Sequence, residues 1–243
     1  MNFINRDKLF TGYLLPILVM ATCLLSLSFV LDKNAKKEEM VIISTDYGDM
    51  VIRLYADTPL HKENFLKLAK EGFYDGLLFH RVIQSFMIQG GDPNSKDAQK
   101  GDPLGNGGPG YTIPAEINRN YIHKKGALSA ARQGDAVNPN RESSGSQFYI
   151  VQGKTVEEST LIRMANQKKP EPGQEPFSYT EEQIQTYGEI GGTPHLDQAY
   201  TVFGEVTEGL NVIDSIASVK TDSRSRPFED ITMSMKIIKR KWQ

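Results

Sequence analysis

Short runs of alternating apolar residues, rich in β-branched side chains, recur along the chain from residue 40 to its C-terminal end. Successive side chains of a strand point to opposite faces, so such runs are typical of strands with a buried face. Because helical patterns do not alternate with these runs, the sequence argues against a doubly wound parallel sheet. It favours a mainly β fold, a closed barrel of about eight antiparallel strands capped by two helices. The runs are residues 40–45, 50–55, 79–83, 86–89, 127–131, 146–151, 200–206 and 231–238.

Two amphipathic helices are predicted to cap the barrel. The first begins at Asp57-Thr58-Pro59, where a capping side chain precedes a proline, and ends before Gly72. Its expected core-facing positions are Leu60, Phe65, Leu68 and Ala69. The second helix is predicted from the apolar positions Leu210, Ile213, Ile216 and Ala217.

Residues 154–193 interrupt the strand pattern with polar sequence that carries two weak helical stripes. Capping boxes are predicted where Thr155 precedes Glu158 and where Thr180 precedes Gln183. The segment is too small and too polar to bury a core of its own. We therefore expect a helical hairpin inserted into the β domain. Either it shapes access to a neighbouring site or it is a purely structural elaboration.

An apolar stretch of nineteen residues, 13–31, precedes the β domain and is followed by a charged linker that reaches residue 39. A helix of this length is just long enough to span a bilayer. A cleavable signal peptide and an uncleaved membrane anchor both fit the stretch, and both imply that the remainder is exported. A buried core helix is disfavoured by the linker. We expect a targeting segment over 1–39, a domain over 40–243, and a location in the periplasm or on the periplasmic face of a membrane.

Composition excludes several classes of partner and site. A net charge of −2 over 243 residues gives no reason to expect nucleic acid, and a membrane is expected as a partner only through an uncleaved N-terminal segment. The single cysteine, Cys23, excludes an internal disulfide framework and a cysteine metal cluster. The four histidines do not have the spacing of a metal site. We therefore expect no metal and no cofactor.

Residues 79–92 place an arginine, two large apolar side chains and an amide within nine positions, before a Gly-Gly turn. Strand alternation predicts that Phe86 and Ile88 lie on one face and that Met87 and Gln89 lie on the other. Taken alone, this hairpin is interpreted as a pair of core residues with a solvated arginine at its rim. The alternative is a binding site, and sequence elsewhere in the chain decides between the two.

Five linked blocks bear on that choice: Phe79-His80-Arg81-Val82-Ile83, Phe86-Met87, Gln89-Gly90-Gly91-Asp92, Ser146-Gln147-Phe148 and Val202-Phe203-Gly204. In order and spacing they resemble the signature blocks of the cyclophilin-type peptidyl-prolyl isomerases, and they cover most of residues 40–243. A linked set of this kind is far more specific than one short motif. The resemblance implies an eight-stranded antiparallel barrel closed by two helices, in agreement with the strand count. It also implies isomerisation of prolyl bonds.

The resemblance implies that Arg81 is the catalytic arginine and that Gln89 positions the substrate, while Phe86 and Met87 form the floor of a proline pocket. The other residues that it assigns to substrate binding are Ala131, Arg132, Gln147, Tyr149, Leu196 and Tyr200. Arg132-Gln133 departs from the common Asn-Ala pair of the family, and three single positions depart as well. Tyr149 replaces a phenylalanine, Tyr200 a histidine, and His195 a tryptophan that matters for binding cyclosporin-like drugs, so sensitivity to such drugs is not implied.

The expected partners are proline-containing polypeptides, such as unfolded or exported proteins, bound by a monomer. The main alternative is a cyclophilin-like module that holds proline-containing segments without catalysis. A hydrolase is a third interpretation, because Ser143-Ser144-Gly145-Ser146 offers hydroxyl groups and His195 with Asp197 offers a base-like pair. The turn Gly-x-Ser-x-Gly that usually presents such a serine is absent from the sequence, which disfavours this interpretation.

Overall fold

The computed structural model describes residues 37–168, 170, 173 and 175–241. Residues 39–239 form one compact unit. The apolar stretch at 13–31 and Cys23 lie outside the described residues. Within the described ranges, no helix is both long and apolar enough to cross a membrane.

The described part of the chain contains ten strands and four α-helices. The strands are β1 (Lys37–Thr45), β2 (Gly48–Leu54), β3 (Arg81–Ile83), β4 (Met87–Gly90), β5 (Thr112–Ile113), β6 (Ala127–Ala130), β7 (Ser143–Ser144), β8 (Phe148–Val151), β9 (Val202–Glu208) and β10 (Ser234–Lys241). The helices are α1 (Pro59–Lys70), α2 (Glu158–Gln167), α3 (Glu181–Glu189) and α4 (Leu210–Ala217). The mainly β fold predicted from the sequence is confirmed.

Eight of the strands form one sheet in the order β10-β1-β2-β9-β6-β8-β4-β3. The eight strands of this sheet correspond to the eight predicted runs, but the predicted closed barrel is not found in the described residues. Leu78 and Thr232, which precede β3 and β10, form only an isolated bridge. Hydrogen bonds from Phe79 N to the Ile231 carbonyl and from Met233 N to the Leu77 carbonyl, both 2.9 Å, flank that bridge. Residues 77–79 and 231–233 thus meet, but they lie outside the edge strands β3 and β10. Continuous strand pairing therefore stops before the ring is complete.

The main core combines one face of this sheet with α1 and α4. In α1 the predicted positions Phe65, Leu68 and Ala69 are buried, but Leu60 is 48% exposed and His61 is buried in its place. The cause is Glu116, whose carboxylate accepts hydrogen bonds from the backbone N–H groups of Leu60 and His61, each at 3.0 Å. It also lies 2.6 Å from Nδ1 of the His61 ring. These contacts turn His61 inward, so the first turn of the helix buries position 61 and not position 60.

Strand β8 shows how alternation divides the molecule into two faces. Phe148 and Ile150 belong to the main core. Tyr149 and Val151 belong to a second apolar cluster on the other face, as the period of two predicts. The members of this second cluster are Met87, Ala127, Ala131, Tyr149, Val151 and Val202.

The inserted segment contains α2 and α3, in agreement with the predicted helical hairpin. The capping box of Thr180 with Gln183 is confirmed. The box predicted at Thr155 is wrong, because α2 begins at Glu158 and no side chain caps it. The small apolar cluster of the segment includes Leu161 and Tyr187 and is completed by Ile122, which lies outside the segment.

Gly91, which follows β4 directly, is expected to be intolerant of a side chain. Its φ of +87° is in the left-handed region, and a Cβ there would clash with the Ser146 carbonyl. Gly101 has a similar φ of +96°, and no heavy atom lies within 4 Å of the place that an alanine methyl group would take, so it is a matched control for backbone strain alone. We expect Gly101→Ala to lower the free energy of unfolding by about 1–2 kcal/mol. Gly91→Ala should cost a further ~1–3 kcal/mol because of the clash.

Urea unfolding of the two variants checks this prediction. Equal losses at the two positions would contradict it, since the contact between Gly91 and the Ser146 backbone would then carry no cost.

Candidate active site

A cavity of about 120 Å³ opens beside the second apolar cluster. Its lining consists of Arg81, Phe86, Met87, Gln89, Ala131, Arg132, Tyr149, Leu196 and Tyr200. These are the residues that the resemblance indicated, with the exception of Gln147. Gln147 lines an adjoining cavity of about 730 Å³, which shares Gln89, Ala131 and Arg132 with the smaller one. We call the smaller cavity the proline pocket and the larger one the outer groove.

Strand register brings the pocket residues together from distant parts of the sequence. Arg81 of β3 pairs with Gln89 of β4, and Gln89 pairs with Tyr149 of β8. Met87 lies on the same face as Gln89, as alternation predicts. The position of Phe86 differs from the prediction, because Ser85 has a φ of +61° and the strand begins only at Met87. Phe86 therefore lies in the turn and packs towards the pocket cluster.

A chain of side-chain hydrogen bonds fixes the orientation of Arg81. Its Nη1 donates to Oε1 of Gln89 at 3.2 Å. Nε2 of Gln89 donates in turn to Oε1 of Gln147 at 3.1 Å. Nε2 of Gln147 donates to the carbonyl groups of Gly105, at 3.0 Å, and Gly107, at 2.7 Å. Because a carbonyl oxygen can only accept, the amide of Gln147 has one allowed orientation, and this sets the amide of Gln89 as well.

The loop that carries these two carbonyl groups is held by Asp92, whose side chain is fully buried. Its carboxylate accepts hydrogen bonds from the backbone N–H groups of Gly105 and Gly107, and from Asn94 N at 2.8 Å. This loop thereby supports the site, because its carbonyl groups hold the amide of Gln147.

Arg81 is half-buried, and its guanidinium lies 5.9 Å from the centre of the Phe86 ring. Burial lowers its pKa from the usual value, but a guanidinium stays protonated in proteins. In the described part of the chain, only Nη1 has hydrogen-bonding partners, namely Gln89 and the sulfur of Met87. The other N–H groups are therefore available to a bound molecule.

Arg132 is held differently from Arg81. Its side chain lies 4.4 Å over the ring of Tyr200 and donates to the carbonyl of Ala199, at 3.0 Å, and to Asp135, at 2.6 Å. The backbone of Ala131 is also occupied, because its N–H donates to the Gln147 carbonyl at 3.0 Å and its carbonyl accepts from Ser144 N at 2.8 Å. Among the described residues, the backbone N–H and carbonyl of Arg132 have no such partner. These two backbone groups, which lie just beyond the end of β6, remain free to bind a peptide.

The remaining walls of the pocket are aromatic and aliphatic. The rings of Tyr149 and Tyr200 meet edge to face, with centres 6.0 Å apart. His195 lies beside Phe86, with ring centres 5.5 Å apart, and Leu196 packs against the pocket cluster. Burial lowers the pKa of His195, which favours its neutral form.

The geometry gives no support to a hydrolase. Asp197 is bonded to the ring of His123, at 2.8 Å, and not to His195. The hydroxyl group of Ser146 donates to the carbonyl of Gly91 at 2.8 Å, while that of Ser144 accepts from Gln147 N at 3.1 Å. Within the described residues, no serine of this stretch is bonded to a histidine.

Sequence reasoning missed the residues that support the pocket from behind, of which only Tyr179 is partly exposed: Asp92, His123, Tyr179, Tyr187 and, in this role, Asp197. Nothing local marks them, since the His123–Asp197 pair is separated by 74 positions. The only signal for Asp92 was its place after the Gly-Gly turn.

Comparison with known proteins gives consistent matches. The pattern of the family described as "Cyclophilin type peptidyl-prolyl cis-trans isomerase/CLD" matches residues 40–237. A Staphylococcus aureus protein provisionally named peptidyl-prolyl cis-trans isomerase is 38% identical over 208 residues, covering 84% of this chain and 93% of that protein. A Staphylococcus epidermidis protein with the same provisional name matches with the same identity and coverage.

Solved structures show the same fold. A cyclophilin-type peptidyl-prolyl cis-trans isomerase of Cryptosporidium parvum superimposes with a TM-score of 0.57 at 25% identity, covering 83% of this chain and 98% of that one. A second structure of that protein, obtained in the presence of the dipeptide Ala-Pro, has a TM-score of 0.56 at 24% identity and covers 82% of this chain and 98% of that one. The family match over 40–237 and the 38% identity show that this chain belongs to the cyclophilin-type peptidyl-prolyl cis-trans isomerases.

Proposed function

We propose that this isomerase acts on proline-containing segments of exported proteins and that Arg81 stabilises the twisted prolyl amide. The observation that carries the proposal is a guanidinium with free N–H groups, held in one orientation at the edge of an apolar pocket. Family membership gives the reaction, and the geometry supports the role of each residue in it.

The reaction requires rotation about one amide bond. Resonance gives that bond partial double-bond character and a barrier of roughly 18–20 kcal/mol. No bond is made or broken, so the catalyst needs only to bind the twisted amide more tightly than either planar isomer. In the twisted state the prolyl nitrogen becomes pyramidal and regains a lone pair. A guanidinium N–H of Arg81 can donate a hydrogen bond to this nitrogen or to the prolyl carbonyl.

The pocket has the size and chemistry to hold a proline ring. Its volume of about 120 Å³ is about four times the roughly 30 Å³ that one water occupies in the liquid. Met87 and Tyr149 in its lining are almost fully buried, while Phe86 and Leu196 are partly buried. We propose that these groups hold the ring still while the preceding residue turns.

The flanking peptide backbone has matching groups on the protein. The free N–H and carbonyl of Arg132 can pair with an extended substrate, in the manner of an added strand. Gln89 has one amide hydrogen and one lone pair left for the substrate after its bonds to Gln147 and Arg81. The outer groove continues from this point and leaves room for residues beyond the proline.

The proposal that the clients are exported rests on the apolar stretch at 13–31 and its charged linker. A targeting segment of this kind would place the isomerase where newly exported chains fold. Uncatalysed prolyl isomerisation takes tens to hundreds of seconds, so folding there can wait for it.

Arg81→Ala should abolish most of the turnover on an Ala-Ala-Pro-Phe peptide. Removing one preorganised donor of this type typically costs about 2.7–4 kcal/mol of transition-state stabilisation, so we expect a decrease in kcat/KM of roughly 100-fold or more. Arg81→Lys keeps the charge but loses the planar fork, and it should recover only part of the activity. Exchange NMR on the peptide measures all three proteins.

Arg224→Ala is the matched control, because Arg224 is exposed and donates to the Gly101 carbonyl at 2.8 Å, away from the pocket lining. It should turn over peptide like the wild type. Wild-type turnover in a folded Arg81→Ala protein would remove Arg81 from the mechanism. A wild type that binds the peptide without isomerising it would favour the non-catalytic binding module.

Turnover should be nearly independent of pH between about pH 7 and about pH 9. Arg81 stays charged over that range. The pKa of His195 is lowered, so its ring is neutral at every pH above the ordinary histidine pKa. Burial raises the pKa of Tyr149, so its hydroxyl group keeps its proton. The kcat/KM profile measures this. A step within the range would show that a further titrating group controls the reaction.

Cell fractionation should find the protein in the periplasm or with the membrane. N-terminal sequencing of that material then distinguishes cleavage after the apolar stretch from an intact anchor. Recovery in the cytoplasmic fraction would contradict the proposed clients and leave the isomerase chemistry in place.

A further inference from the structure

The inserted segment supplies two tyrosines to a buried hydrogen-bond network that the proposed reaction does not use. At its centre is Asp197, whose side chain is 0% exposed. Its Oδ1 accepts from the backbone N–H and from Nδ1 of His123, both at 2.8 Å. Its Oδ2 accepts from the hydroxyl groups of Tyr179, at 2.8 Å, and Tyr187, at 2.6 Å. Each carboxylate oxygen therefore receives two donors, which offsets the cost of burying the group.

The network has a defined direction that leads to the pocket. A carboxylate oxygen accepts, so Nδ1 of the His123 ring donates to Asp197, and Nε2 of the neutral ring is then an acceptor. The hydroxyl group of Tyr149 lies 2.9 Å from this Nε2. Burial holds the pKa of Tyr149 well above its usual value, so this hydroxyl keeps its proton and donates.

Tyr149 connects the network to the substrate. Its ring lines the proline pocket and packs in the same cluster as Met87 and Ala131. The rings of His123 and Tyr149 are nearly parallel, with an interplanar angle of 11° and centres 6.0 Å apart. A shift of the imidazole would therefore move or release the ring of Tyr149.

The path of the chain shows how the insertion reaches this point. The segment returns at Gly192, whose N–H donates to the Lys154 carbonyl at 3.0 Å. The next residue, Thr193, donates to the carbonyl of His123 at 2.8 Å. The segment thus leaves and re-enters the sheet at one place, directly beside His123. Its helix α3 places Tyr187 over the carboxylate of Asp197.

We propose that the inserted segment is a positioning element of the proline pocket, which acts from Tyr187 through Asp197 and His123 on the ring of Tyr149. The inference deepens the proposed function and depends on the pocket's holding a proline ring. Because the ring is held equally in the planar and twisted states, the network contributes to uniform binding. Its loss changes KM and leaves kcat nearly unaltered.

A double-mutant cycle tests the path with Tyr187→Phe, Tyr149→Phe and the double variant, on an Ala-Ala-Pro-Phe peptide. Tyr187→Phe should raise KM roughly 2- to 10-fold, the factor that one net hydrogen bond is worth, with kcat within about twofold. In the Tyr149→Phe background, the same change should leave KM unaltered, because the hydroxyl that receives the effect is absent. The same fold-change in both backgrounds would overturn the inference, since the insertion would then act on stability alone.

Tyr121→Phe is the matched control. This substitution also removes one hydroxyl-to-carboxylate hydrogen bond, that of Tyr121 to Asp57 at 2.7 Å. Among the described residues, the Tyr121 hydroxyl group has no hydrogen bond to Asp197 or His123. KM should stay at the wild-type value. A rise equal to that of Tyr187→Phe would show a general effect of hydroxyl loss and overturn the proposed path.

Thermal unfolding confirms that each variant is folded, and Tyr179→Phe repeats the cycle if Tyr187→Phe does not fold. Calorimetric affinity for the same peptide separates the two proposals. A wild type that binds the peptide without turnover contradicts the proposed function alone, and the cycle is then measured in Kd. A wild type that binds no prolyl peptide contradicts the positioning role as well.

Discussion

The acceptor-only character of two backbone carbonyl groups governs the polar side of this site. Those of Gly105 and Gly107 both face the amide of Gln147, which can satisfy them only with its nitrogen. That choice passes through Gln89 to Arg81, so the guanidinium that we propose as the catalytic group is oriented by backbone and not by an opposing charge. An ion pair would neutralise part of the field on which the proposed mechanism depends. A neutral amide chain holds the guanidinium and leaves its charge available.

Local periodicity predicted most of the fold, because the faces of a strand and of a helix are properties of neighbouring residues. The alternation of residues 146–151 agrees with the two faces of β8, and three of the four predicted positions of α4 are buried, Leu210 being only partly buried. It failed at Leu60 because Glu116, 56 positions away, turns His61 inward. It failed at Phe86 because the left-handed backbone at Ser85 delays the start of the strand by one residue. Barrel closure failed for a similar reason, since it depends on how two distant stretches meet.

The linked sequence blocks assigned ten residues to a site, and nine of them line one pocket, while their roles stay a prediction. The polar groups behind that pocket could not be predicted from the sequence. Asp92 and Asp197 are single carboxylates in polar sequence, and their burial follows only from donors brought in by the fold. The inserted segment was predicted as two helices with no core of its own, and its small cluster does borrow Ile122. What it contributes besides packing, two hydroxyl groups on one buried carboxylate, has no signature in the sequence.

The order of strands in the sheet has a consequence for biosynthesis. β10 lies next to β1, so the first and last strands of the domain are neighbours. A nascent chain that emerges from its N-terminus cannot complete this pairing until the last strand has been released. Long-range pairing of this kind also slows folding. The native sheet is therefore incomplete until β10 has been synthesised, and in the meantime the exposed edge of β1 is a site where a chaperone or an aggregating chain can attach.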